Sequence, residues 1–171
     1  MIYKTAITLL AILISQVSFS GSYTGNNFKV KFPDNWVSET RSDVDGLILR
    51  PSNKGIFCAV ESKLHHQYYP SINHIYNELR AANADEGLVG LLKRQYPKAF
   101  VNANHRLKEY KNYVEISALV TIKHDGKLNN LVQFHKLGMS ARTSVTCTGK
   151  VQVMIDSMKD VGLITSSLSE L

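Results

Sequence analysis

YVEISALVTIKHDGKLNNLVQFHKLGMSARTSVTCTG, residues Tyr113 to Gly149, is the stretch on which the fold turns. Val114, Ile116, Ala118, Val120 and Ile122 recur at every second position, with Glu115, Ser117, Thr121 and Lys123 between them. Side chains alternate across a strand, so this spacing predicts one long strand with an apolar face. His124-Asp125-Gly126-Lys127 then reads as a turn, because Asp-Gly tolerates positive φ. A second strand is predicted over Leu131–Met139 and, after Ser140-Ala141-Arg142, a third over Thr143–Thr148. Three consecutive strands joined by short turns make an antiparallel meander.

Working back toward the N-terminus, Lys111-Asn112 is a turn and Val101–Tyr110 a weaker, mixed strand. Ser71 suits a helix N-cap, and Ile72, Ile75, Tyr76 and Leu79 follow at helical spacing. Asn83–Gly87 interrupts that pattern, and Leu88, Leu91 and Leu92 resume it before Pro97, giving one broken helix or two short ones. Ile56–Leu64 reads as a strand with apolar residues on both faces near its start, as a central strand has. Leu47–Arg50 is a short strand ended by Pro51. Phe28, Val30 and Phe32 alternate with Lys29 and Lys31, and Pro33-Asp34-Asn35 suggests a hairpin turn into Trp36–Glu39. The only tryptophan, Trp36, is read as a core anchor.

Beyond Gly149, Val151, Met154, Ile155, Met158 and Gly162 define the expected buried stripe of an amphipathic helix. Leu163–Leu171 loses the pattern and is expected to fray.

Residues 1–20 read as a signal peptide. Lys4 supplies a basic start, Thr5–Ile14 an apolar core, and Ser18 and Ser20 the small residues before a cut at Gly21. The apolar core is shorter than the roughly 20 residues a bilayer span needs. No cysteine stands near the cut for lipoprotein processing. The expectation is a single exported domain over residues 21–171, periplasmic or secreted, with no membrane span after cleavage. N-terminal sequencing of the exported protein should begin at Gly21; a chain still starting at Met1 would contradict this.

The full chain of 171 residues carries a formal charge of +6, and loss of Lys4 leaves +5. The cations are dispersed, with clusters no longer than Lys93-Arg94, so nucleic acid is not a predicted partner. Cys58 and Cys147 are the only cysteines, and an exported pair is expected to form a disulfide. The competing reading is a cysteine nucleophile, with His135 or His105 as its base. His65, His66 and His74 cluster locally, but adjacent histidines on an extended chain diverge, and no zinc-type spacing surrounds them. No metal, cofactor or catalytic residue is predicted. The glycine fingerprint of dinucleotide binding, the P-loop and the nucleophile elbow are all absent.

The order of elements, with Phe28-Lys29-Val30-Lys31-Phe32-Pro33-Asp34-Asn35-Trp36 as an opening strand and Thr143–Thr148 as the strand before the final helix, resembles the PsbP-like superfamily. That group includes bacterial exported DcrB-like proteins. The resemblance implies an α+β fold, a twisted antiparallel sheet with helices packed on it as an α/β/α sandwich. It also implies a binding or assembly role rather than catalysis. No metal or partner site of PsbP matches residue by residue. The resulting reading is a non-catalytic exported accessory module whose partner is another envelope or secreted protein. The alternatives are an inhibitor or immunity protein against a secreted enzyme and a small periplasmic hydrolase.

Overall fold

Alternation of apolar and polar residues over Val114–His124 builds the long strand β7. It turns through Asp125 (φ 48°) and Gly126 (φ 73°). Two consecutive positive φ values suit the twist of a two-residue hairpin. The computed structural model describes residues 19–52, 55–66, 68–82, 89–90, 93–94, 97–98 and 100–170. Its strands are β1 (Phe19–Thr24), β2 (Phe28–Pro33), β3 (Trp36–Thr40), β4 (Asp45–Pro51), β5 (Ile56–Leu64), β6 (Phe100–Glu109), β7, β8 (Lys127–Leu137), β9 (Ala141–Lys150) and β10 (Ser169–Glu170). The helices described here are α1 (Ile72–Ala81) and α2 (Val151–Ser167).

Seven strands form one antiparallel sheet in the order β3-β4-β5-β9-β8-β7-β6. The meander β7-β8-β9 is present, and β8 starts four residues earlier than its apolar pattern does. Its polar start is held by pairing to β7 and by the Thr121 hydroxyl, which donates to Asn130 Oδ1 at 3.0 Å. β5 lies inside the sheet, between β4 and β9.

The two faces of the sheet are covered by different elements. On one, Leu47, Leu49, Cys58, Val60, Val145 and Cys147 meet Met154, Val161 and Ile164 of α2 and Phe28, Val30 and Phe32 of β2. On the other, Val114 and Leu137 receive Ile72 and Ile75 of α1. Ser71 caps α1 as its sequence suggests, accepting from the His74 N–H at 3.1 Å. The arrangement is an α/β/α sandwich. Most of the second expected helical segment, Leu88–Tyr96, lies outside the described residues, as do residues 1–18 of the signal peptide expected over residues 1–20. β1 runs across the expected Ser20–Gly21 cut, and its pairing with β2 changes register between Phe19 and Gly21.

Three expectations are corrected. β2 and β3 are not a hairpin: β2 pairs with β1 and β10 in a separate three-stranded sheet, and β3 pairs with β4. Pro33-Asp34-Asn35 therefore passes the chain from one sheet to the other. Both Phe28-Val30-Phe32 and Trp36 thereby reach the same core, where the Trp36 Nε1–H donates to Asp160 Oδ2 at 3.1 Å. In α2 the buried face is Met154, Ser157, Val161 and Ile164, whereas Ile155 and Met158 are 56% and 45% exposed. A serine inside the seam displaced the sequence-based stripe by part of a turn.

The tail, finally, is anchored. The helix runs to Ser167, Leu168 is buried, and Ser169–Glu170 pair with β2. The Ser167 hydroxyl bridges the Lys31 backbone, and Lys136 Nζ donates to the Leu168 carbonyl at 2.6 Å.

A histidine-lined cleft as candidate functional site

β5 ends at Leu64, and the chain crosses to α1 through His65-His66 and Tyr68-Tyr69-Pro70. Backbone polar groups in such a link need partners, and the β8–β9 turn supplies them. The His65 N–H donates to the Ser140 carbonyl at 2.9 Å and the Tyr69 N–H to the Met139 carbonyl at 3.0 Å. The His65 Nε2 also stands 3.1 Å from the Gly138 carbonyl. Tyr69 meets the His65 ring edge-on at 4.9 Å, and His74 on α1 lies 6.3 Å from the Tyr69 ring. These ties hold open a cleft of about 650 Å³ between the end of the sheet and α1.

Cations dominate the cleft. Lys63 and Arg142 face it from adjacent strands, where they are direct register partners. His65, His66 and His74 add three imidazoles. The one acid in its lining is Glu78, already 3.0 Å from His74 Nε2. Glu61, behind Lys63, is shared between Lys63 at 3.5 Å and Arg41 at 3.3 Å. Among the described residues, Arg142 has no carboxylate within ion-pair distance. The outer wall is apolar and open, with Tyr68 67% and Leu64 66% exposed.

Beneath the cleft floor, His135 pairs in register with Ser144 of β9 and is largely buried. Burial, and then the charge of Arg142, push its pKa from the ordinary 6.5 down to about 4, with Glu61 opposing. Between those two values the unfolded chain takes up a proton that the folded chain refuses. Stability should therefore be full above pH 6.5 and fall by about 3 kcal/mol as the pH drops through 4. Urea unfolding at pH 7 and pH 4 measures this, and His135→Gln should remove that part of the loss.

The sequence-derived candidates fall elsewhere. Cys58 and Cys147 are direct partners across β5 and β9, with Cα atoms 4.0 Å apart and the sulfurs joined at 2.06 Å. Both are fully buried in the core beneath α2. His135 and His105 lie on the opposite face of the sheet, so neither faces a cysteine as a base. The catalytic-cysteine reading has no geometry here. His65, His66 and His74 converge on one cleft, yet no group of three or more ligating side chains forms a metal site among the described residues. Asp43 is held by Arg41, and Asp45 accepts from the Asn26 and Asn27 N–H groups. Sequence reasoning missed Arg142 because Ser140-Ala141-Arg142 reads as a connection; it stands at the start of β9 and is brought to Lys63 only by long-range pairing of β5 with β9.

No protein-family model matches the chain, and no curated protein matches it in sequence. Solved structures do resemble it. The solution structure of cyanobacterial PsbP (CyanoP) from Synechocystis superposes with a TM-score of 0.60 at 7% identity, covering 88% of this chain and 92% of that one. LpqN, involved in cell envelope biogenesis of Mycobacterium tuberculosis, gives 0.52 at 11% identity, covering 86% of each chain. A Bacteroides thetaiotaomicron protein gives 0.55 at 10% identity, covering 84% of this chain and 45% of its own. The fold is that of the PsbP-like proteins, as the resemblance in sequence order implied. Among the described residues, no helix is long and apolar enough to cross a membrane.

Proposed function

We propose that this chain is a non-catalytic accessory protein of the cell envelope or exterior that binds another envelope or secreted protein. One observation carries the reading. The cleft joins Arg142, which has no carboxylate within ion-pair distance among the described residues, to three imidazoles and an exposed Tyr68-Leu64 wall, while both cysteines are bridged in the core away from it. Half-open aromatic and arginine-bearing surfaces suit protein recognition. The signal-peptide pattern read over residues 1–20 supports export, and a cysteine pair positioned for a bridge suits an oxidising compartment. The likeness to LpqN is compatible with an envelope setting.

Affinity capture from the envelope fraction, with the mature chain from Gly21 as bait, tests this. A partner retained by the wild type at stoichiometric level is the expected result. Failure to retain any would count against the reading. Capture of a secreted enzyme whose activity falls on binding would specify an inhibitor.

A further inference from the structure

Resting on that protein-binding reading, we infer that the cleft recognises an acidic peptide segment in which carboxylates neighbour apolar side chains. Arg142 presents a planar fork that matches a carboxylate in two parallel hydrogen bonds. Arg142 is partly buried on the cleft wall and, among the described residues, has no carboxylate within ion-pair distance, so its fork is available to a ligand. Lys63, its register partner, adds a second cation on the same floor. Glu61 and Glu78 are committed to Lys63, Arg41 and His74, which leaves Arg142 without an acid partner among the described residues.

The size and the wall specify a chain rather than a lone ion. A space of about 650 Å³ holds several residues. Tyr68 and Leu64 offer exposed apolar surface directly beside the cations. Apolar side chains of the peptide would cover that surface while its carboxylates meet Arg142 and Lys63.

The test uses the disulfide-intact mature protein and three fluorescein-labelled hexapeptides, alternating leucine with glutamate, glutamine or lysine. Fluorescence anisotropy should show saturable binding of the glutamate peptide, roughly tenfold or more tighter than the glutamine peptide, with the lysine peptide weakest. Arg142→Gln should lose roughly tenfold or more in affinity, and Arg142→Lys should fall between, keeping charge without the fork. Arg50→Gln, at the far end of the sheet and paired with Glu39, should bind as the wild type does. Urea midpoints of all variants check that each folds.

Equal binding of the three peptides, no saturable binding, or full affinity in a folded Arg142→Gln variant would each overturn the inference. So would displacement of the peptide by phosphatidylglycerol vesicles, which would assign the cleft to a membrane headgroup. If envelope capture persists in Arg142→Gln, the protein-binding reading stands and only the cleft assignment falls.

Discussion

Replacing Ile164 by alanine should lower the unfolding free energy by about 2–5 kcal/mol, whereas Ile155→Ala should change it by less than about 1 kcal/mol. Both residues are isoleucines on the same helix. Ile164 is fully buried beside Val161 and Leu168, against β2 and the sheet. Ile155 points away, 56% exposed. Truncating Ile164 removes transfer energy and leaves a cavity; truncating Ile155 removes exposed surface only. Urea midpoints of the two variants are sufficient. Equal losses would place the helix in a different rotation, and a loss confined to Ile155 would restore the stripe first read from the sequence.

The second large effect concerns Cys58 and Cys147. They close a loop of 89 residues between two interior strands of the sheet. By chain entropy such a closure contributes roughly 4–5 kcal/mol, and often less where the reduced chain keeps structure. Reduction should lower the urea midpoint accordingly and loosen β5 and β9 together, since each is the other's neighbour. Hydrogen exchange in both strands reports this. Thiol counting on the denatured, unreduced protein should find none free. Two free thiols would contradict the bridge and leave the buried pair to packing alone.

The parts of the fold that local rules govern could be read directly. In β7 the period-2 pattern and the Asp125-Gly126 turn specify strand, face and hairpin together. Ser71 and the apolar spacing behind it marked α1. What could not be read depends on distant partners. Pro33-Asp34-Asn35 is locally a good hairpin turn, and only the pairing of β2 with β1 and β10 sends β3 to the other sheet. Ser157 sits in the seam of α2 because burial there is set by what faces it, while Ile155 and Met158 look more apolar and stay outside. Ser169-Glu170 is too short to show a period, and its place beside β2 follows from where α2 ends.

The candidate site was the least legible part. His65, His66 and His74 were visible as a local cluster, but they gain meaning only beside Lys63 and Arg142. Arg142 is separated from Lys63 by 79 positions in the chain and stands directly opposite it in the sheet. No spacing rule joins such a pair. The apolar wall was equally hidden, because Tyr68 lies in a link that reads as polar and aromatic, with nothing in sequence to say which side it presents.

The cleft beside Arg142 and Tyr68 is the proposed docking place of a protein partner. Site-specific photo-cross-linking tests it most directly, with a benzophenone amino acid placed at Tyr68 in the cleft wall or at Val37, exposed at the far end of the sheet. Irradiated in the intact envelope, the position-68 protein should give a discrete protein adduct that Arg142→Gln abolishes, and the position-37 protein should not. An adduct from position 37 alone, or one from position 68 that persists in a folded Arg142→Gln variant, would contradict the claim.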